Sequence, residues 1–338
     1  MTSKYHKYSF GDHEWDIICE DPEVVGTTPE EDEDGPVDIR ALRVFMSKVV
    51  SDMMKAKLPF VEQGLCVTDH DIAVNGGNIT VRAYSPETNI SETFAVMIWM
   101  HGGGYMAGDL ETDDIDLRSY CVSENIVIVS VDYRLAPEHL FPTAVNDCYE
   151  AFKWVVSNAP TLRADPAKGL IIAGLSAGGN LAAVLQIIAR DDPLFTTPIT
   201  GQILQMPLIC HKDEYPDRFK PDLHSIDDLA DSPFLTRLAL NKTCKTVKID
   251  TKSPLFCPLL AASHKGLPKT YFQICGRDPL RDEDIAYAQV LEENGVETKT
   301  QIYTGCPHIF HYVDASTQAA KKFRDDMRFA IRWILGRS

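Results

Sequence analysis

The stretch GLIIAGLSAGGN, residues 169–180, decides how this chain is read. It opens on a continuous apolar run, as expected for a strand buried on both faces. It then reaches Gly174-Leu175-Ser176-Ala177-Gly178 and runs into a helical stretch at about 178–190. A serine on a sharp strand-to-helix turn sits in strained backbone, and such a turn demands small neighbours, which Gly174 and Gly178 provide. The turn also lifts the hydroxyl beside the positive end of the helix. The pentapeptide alone recurs by chance. Between a strand and a helix it marks Ser176 as a nucleophile.

The same rhythm extends in both directions. Strand candidates are 66–74, 78–85, 94–100, 125–133, 169–175, 201–208, 270–276 and 298–304, the first two joined as a hairpin by Asn75-Gly76-Gly77. Helical patterns occupy about 112–122, 143–158, 178–190, 283–294 and 315–335. Strands alternating with helices predict an α/β fold with a mostly parallel sheet covered on both faces. Two segments fall outside the rhythm. Residues 37–56 carry Leu42, Phe45, Met46, Val49 and Met53 at helical spacing and need a partner surface. Residues 209–268 are Pro-rich and irregular, with a helical piece near 232–241, and an insertion of that size is expected to be functional.

Composition narrows the classes. With 44% apolar and 24% charged residues the chain is neither disordered nor fibrous. Its 338 residues would make roughly two domains, or one α/β domain with insertions. The net charge of −16 repels nucleic acid and anionic lipid. The acidic run Glu30–Asp34 reads as a solvated segment before the first amphipathic helix. No secretory signal and no membrane-spanning run are found, so a cytoplasmic location is expected. The nine cysteines are dispersed and read as reduced thiols, and the sequons at Asn78, Asn89 and Asn241 carry no meaning without secretion. HExxH, GxGxxG and P-loop patterns are absent, so neither metal nor cofactor is expected.

A serine hydroxyl needs a base, and the base needs an acid to orient it. Asp278 follows the strand at 270–276 and His308 follows the strand at 298–304, at the carboxyl ends where open α/β sheets place their sites. Asp282, Asp284, His264 and His311 compete for these roles; Asp282 and Asp284 sit near a helix start, where carboxylates usually cap. His101-Gly102-Gly103-Gly104 follows the strand at 94–100, and its unobstructed backbone N–H groups suit an oxyanion. Gly103, Gly104 and the N–H of Ala177 are the expected oxyanion-hole donors. Met206, Leu208, Phe234, Phe256 and Leu259 are candidate substrate-pocket residues.

HGGGYMAGD (101–109), DYRLAPEHLFPTAVND (132–147), GLSAGGN (174–180), GRDPLRDE (276–283) and PHIFH (307–311) together resemble the hormone-sensitive-lipase-like branch of the α/β-hydrolase carboxylesterases. The resemblance covers residues 94 to 335. It implies an α/β-hydrolase fold: an eight-stranded, mostly parallel sheet flanked by helices, its core at 61–208 and 269–338. Residues 1–60 and 209–268 would form a helical cap. It implies Ser176 as nucleophile, Asp278 as acid and His308 as base. Two positions depart from the family pattern. Leu175 stands where Asp is usual, which removes a carboxylate near the nucleophile and changes the pocket's polarity. Ile309 stands where Gly is usual, and a β-branched residue resists positive φ, so a differently shaped loop is expected. Tyr133–Glu138 reads as a structural turn tied by its Arg and Glu.

The leading reading is a serine esterase that cleaves a small-to-medium apolar ester or lactone through an acyl-enzyme. The chain's length and its GLSAGGN variant suit an intracellular fungal member tailoring a secondary metabolite. Alternatives are a lyase, dehydratase or cyclase using His308 as base, and a ligand receptor; the retained His308 argues against the receptor. Some relatives form homodimers through the terminal strand and helix. A small-molecule ester is the partner this reading implies.

Overall fold

The hydrophobic runs become one eight-stranded sheet. The structure, a computed structural model, describes residues 2–25, 35–88 and 92–338; the acidic run Glu30–Asp34 and the sequon at Asn89 lie outside the described residues. The strands are β1 (Leu65–Val74), β2 (Gly77–Pro86), β3 (Val96–Met100), β4 (Val127–Asp132), β5 (Leu170–Leu175), β6 (Gly201–Gln205), β7 (Lys269–Arg277) and β8 (Thr298–Pro307). Their spatial order is β1-β2-β4-β3-β5-β6-β7-β8. β2 pairs antiparallel with both β1 and β4, and every other pairing is parallel. Parallel neighbours require helices on both faces, and β3 and β5 are accordingly buried at every position.

The helices that the argument needs are α1 (His13–Ile18), α2 (Ile39–Val44), α3 (Val50–Lys57), α4 (Asp114–Glu124), α5 (Thr143–Ser157), α6 (Ala177–Asp191), α7 (Arg237–Val247), α8 (Arg281–Glu293), α9 (Phe310–Val313) and α10 (Gln318–Leu335). α2 continues into α3 through a π-helical turn at Phe45–Val49. That wide turn advances the phase of the helix, and π turns of this kind recur at functional sites. The helix expected near 232–241 starts later, at Arg237, because Thr236 caps it by accepting from the Ala239 N–H at 2.9 Å. No helix among the described residues is long and apolar enough to cross a membrane.

The order of strands places the site. From β3 the chain crosses to β4 on one side, and from β5 it crosses to β6 on the other, so the loops leaving β3 and β5 diverge and open a crevice between them. His101–Gly104 leaves β3 and Ser176 leaves β5, which puts both at this switch point.

The segment 209–268 is bound to the core by carboxylates that the sequence left as helix caps. Asp282 is fully buried. It accepts from the N–H groups of His224 and Ser225, both at 2.9 Å, and from Arg281 Nε at 2.8 Å. It is therefore a tie between the insertion and α8, not a solvated cap. Its neighbour Glu283 accepts from the N–H groups of Ile209 and Cys210 at 2.8 and 3.2 Å and from the Tyr215 hydroxyl at 2.7 Å. The turn at 133–138 also differs from expectation. Arg134 pairs with the buried Asp147, Nη2 to Oδ1 at 2.6 Å, while Glu138 reaches Arg43 of α2 instead.

Burial raises the Glu283 carboxyl to about 8, overriding its three donors. A carboxyl raised in the folded state contributes stability below its unfolded value, near 4.5, and loses it as pH rises through about 8. Glu283→Gln keeps an acceptor for the two N–H groups and offers Nε2–H to the Tyr215 hydroxyl, but does not titrate. In urea unfolding from pH 5 to 9, wild type should lose on the order of 4 kcal/mol relative to Glu283→Gln. Parallel stability curves would contradict this assignment.

Candidate active site

Ser176 joins β5 to α6 with φ 55° and ψ −116°, a conformation that L-residues rarely hold. Crowding around it leaves no room for side chains. A Cβ on Gly178 would stand 2.0 Å from the Met100 carbonyl oxygen, and one on Gly174 would stand 2.3 Å from that of Gly178. Backbone bonds fix the turn: Ser176 N–H donates to the Gln205 carbonyl at 2.8 Å, and the Ser176 carbonyl accepts from Asn180 N–H at 2.9 Å.

The serine hydroxyl meets His308. Ser176 Oγ lies 2.9 Å from His308 Nε2, and His308 Nδ1 lies 2.6 Å from Asp278 Oδ2. Asp278 Oδ1 accepts from the Leu280 N–H at 2.9 Å. Both His308 and Asp278 are buried. An ionised carboxylate only accepts, so the imidazole proton sits on Nδ1 and the Nε2 lone pair faces the serine. Asp278, not Asp282, is thus the carboxylate brought to the histidine. His311 is buried against Phe323, its ring centroid 4.2 Å away, and His264 donates Nε2–H to the Pro258 carbonyl at 2.8 Å; neither reaches Ser176 by any hydrogen bond among the described residues.

The glycine loop is built around its carbonyls. Gly103 and Gly104 hold φ of 115° and 63°. The Gly103 carbonyl accepts from the N–H groups of Met106 and Ala107, at 3.1 and 3.0 Å. Because C=O and N–H share one rigid peptide plane, those two bonds aim the Gly104 N–H the opposite way. The Gly102 carbonyl accepts from His101 Nδ1 at 2.7 Å, which fixes the Gly103 N–H in the same manner. His101 is fully buried, its ring 4.3 Å from that of Tyr133 and nearly parallel to it. Burial lowers it to about 4, so it stays neutral at ordinary pH with its proton on Nδ1. The motif's histidine is therefore a positioning residue, a role the sequence reading did not give it.

A cavity of about 380 Å³ opens on Ser176, His308, Gly103, Gly104 and Ala177. Its walls are mostly apolar. Phe45 and Met46 come from the π turn, Met106 from the glycine loop, and Leu240 from α7. Leu208 and Phe234 line it as expected. Met206 and Phe256 do not. Met206 is fully buried beneath the site, its sulfur 3.4 Å from the Ile309 N–H and 3.7 Å from Cys275 Sγ. Phe256 borders a separate void of about 10 Å³ beside Tyr105, and Leu259 packs in the core. Alternation along an apolar strand end cannot tell which face meets a cavity that other segments close. The signal for Phe45 and Met46 was present: an amphipathic helix in need of a partner.

The two departures also resolve. Leu175 does not border the cavity; its Cδ2 stands where a Cβ on Gly102 would come within 2.7 Å, so its methyls fill space behind the loop. The expected change in pocket polarity is not seen. Ile309 holds φ 52° and ψ 19°, so the loop keeps left-handed backbone despite its β-branched residue. What holds it is burial and the turn that follows, with Tyr312 N–H on the Ile309 carbonyl at 2.9 Å. Tyr312 in turn donates its hydroxyl to Asp113, which also accepts Trp99 Nε1 at 2.7 Å.

Residues 97–312 match the family model described as alpha/beta hydrolase fold. The chain belongs to that family. The versiconal hemiacetal acetate esterase of Dothistroma septosporum is 31% identical over 302 residues, 89% of each chain. Esterase LipI of Mycobacterium tuberculosis is 34% identical over 266 residues, 75% of this chain and 79% of that one. Among solved structures, vibralactone cyclase superposes with a TM-score of 0.89 at 36% identity, covering 98% of this chain and 96% of the other. With such relatives, this α/β-hydrolase is a carboxylic ester hydrolase of the hormone-sensitive-lipase-like branch.

Two contrasts check the geometry. Gly103→Ala would drive a Cβ to 2.2 Å from the Ala107 carbonyl oxygen and should disrupt the loop, whereas at Gly104 the nearest atom, Thr243 Oγ1, is 3.4 Å away. Activity and thermal melting should therefore show Gly103→Ala the more damaged in both; equal damage would contradict the loop as described. In the second contrast, Asp278→Asn should stay folded and lose up to about four decades in kcat through the wrong imidazole tautomer. Asp282→Asn should cost about 3 kcal/mol or more by stranding the buried Arg281 charge, while its folded fraction turns over nearly normally. The reverse pattern would move the acid role to Asp282.

Proposed function

We propose that this α/β-hydrolase cleaves a small-to-medium apolar ester or lactone through an acyl-enzyme on Ser176. His308 Nε2 takes the hydroxyl proton as Ser176 Oγ attacks the carbonyl carbon. The N–H groups of Gly103, Gly104 and Ala177 receive the negative charge that develops on the carbonyl oxygen. His308 returns its proton to the leaving alkoxide, while Asp278 holds the imidazole tautomer and stabilises the imidazolium. Water, deprotonated by His308, then releases the acid. The observation that carries this reading is the chain of contacts at 2.9 and 2.6 Å from Ser176 through His308 to Asp278, opening onto an apolar cavity. The segments 1–60 and 209–268, which supply much of that cavity's wall, serve as its cap.

The apolar lining, with Asp38, Thr236, Lys242 and Thr243 as its polar members besides Ser176 and His308, favours a molecule with a substantial hydrocarbon part and a few polar groups. A role in tailoring a secondary metabolite fits such a substrate, and the acetate esterase among the relatives supports the cleavage of an ester. A second reading follows from the likeness to vibralactone cyclase. If a substrate's own hydroxyl reached the acyl carbon before water, the same residues would close a lactone.

The test is a series of p-nitrophenyl esters, from acetate to laurate, with the products analysed by mass spectrometry. kcat/KM should rise from acetate to a maximum at medium chain length and then fall, with free acid as product. Ser176→Ala should abolish turnover while remaining folded. Turnover that survives in Ser176→Ala would refute the proposal.

A further inference from the structure

Glu138 belongs to the 132–147 motif and is absorbed neither by the acid-base chain nor by the cavity wall. Its carboxylate faces the N-terminal segment, where Arg43 of α2 donates Nη1–H to Oε1 at 2.9 Å and Nη2–H to Oε2 at 2.6 Å. This two-point fork fixes the guanidinium plane. Two further donors of Arg43 are spent on backbone. Nε–H goes to the Met106 carbonyl at 2.9 Å, and Nη2–H also reaches the Ala136 carbonyl at 3.1 Å. One side chain thereby touches α2, the glycine loop and the 132–147 motif.

The contact at Met106 matters because of what the loop turn does. Residues 103–107 close on the Gly103 carbonyl, and that closure aims the Gly104 N–H. The outside of the turn is held at two carbonyls. Tyr105 accepts from the Ala136 N–H at 2.8 Å, and Met106 accepts from Arg43. The first tether comes from the core; the second comes from the segment that also delivers Phe45 and Met46, two and three residues past Arg43, to the cavity wall. The guanidinium is partly exposed, and its worth lies in geometry more than in Coulomb energy.

We propose that Arg43, oriented by Glu138, is a positioning residue for the oxyanion donors: it latches the N-terminal segment to the glycine loop and makes the aim of the Gly104 N–H depend on that segment being seated. The proposal rests on the acyl-enzyme reading above, in which Gly104 N–H meets the oxyanion. A donor misaimed by a fraction of an ångström hurts the transition state more than the bound substrate, so the latch acts on kcat. A residue that merely held the segment in place would act on KM, through the lost cavity wall.

The experiment measures kcat and KM with p-nitrophenyl butyrate for wild type, Arg43→Met, Arg43→Lys and Glu138→Gln, with circular dichroism and thermal midpoints on each. Arg43→Met should lower kcat by about ten- to a hundredfold with KM changed less than about threefold. Arg43→Lys keeps the charge but cannot serve Glu138, Met106 and Ala136 together, and should recover part of the loss. Glu138→Gln keeps both carbonyl contacts and should lose least. Folded Arg43→Met with kcat within about twofold of wild type, or with its loss confined to KM, would overturn the latch. If Arg43→Met does not fold, unchanged kcat in both other variants overturns it equally. Failure of the underlying reading is told apart by wild type itself: no turnover and no fluorophosphonate labelling of Ser176 would remove both, whereas an active, labelled wild type with indifferent variants would remove the latch alone.

Discussion

The backbone of Ser176, held at φ 55° and ψ −116°, is the constraint on which the rest of the site is built. The turn costs strain, and the surroundings impose it through close contact. Gly178 meets the end of β3, Gly174 meets Gly178, and the Gln205 carbonyl holds the serine N–H. Without side chains at those two glycines, β3, β5 and α6 approach closely enough to bring the glycine loop beside the serine. With a larger residue at either, the sheet and the helix would separate, and the hydroxyl, its histidine and the loop would no longer share one crevice. The strand order adds the second requirement, since only at the point where crossovers diverge is there room for a substrate.

The core of this arrangement was legible in the sequence because it is local. Apolar runs give buried strands, and strand, glycine, serine, glycine and helix give the turn at 174–178. Asp278 and His308 each follow directly on a strand, and the structure brings His308 to Ser176 and Asp278 to His308. What could not be read depends on distant partners. Asp282 looks like a helix cap until His224 and Ser225, more than fifty residues earlier, are seen to use its carboxylate. Met206 and Phe256 are apolar residues in the right regions, yet the cavity runs past neither, because Phe45, Met46 and Leu240 arrive from elements with no fixed spacing to the core. Ile309 is a further case. Propensity opposes positive φ for it, and tertiary packing overrides that preference.

Buried ionisable groups divide by task. Around the serine, Asp278 and His308 are paired at 2.6 Å, and the imidazole's other nitrogen lies 2.9 Å from the hydroxyl. Farther out, burial without a full counter-charge favours the neutral forms: His101 is held down at about 4 and Glu283 up at about 8. Neutral His101 keeps its proton on the nitrogen that orients the glycine loop. Glu283 and Asp282 satisfy backbone N–H groups of the 209–225 segment, which would otherwise be buried unpaired. The polar interior thus positions donors and segments, and only a small part of it meets the serine.

The central claim is that Ser176, activated by His308, is the single nucleophile. Its most direct test is to inactivate the protein with a p-nitrophenyl phosphonate, weigh it intact and map the adduct by peptide mass spectrometry. The account predicts one phosphonyl group per chain, carried by Ser176, formed far more slowly in His308→Asn. An adduct on another residue, or labelling of Ser176 at an undiminished rate without His308, would contradict it.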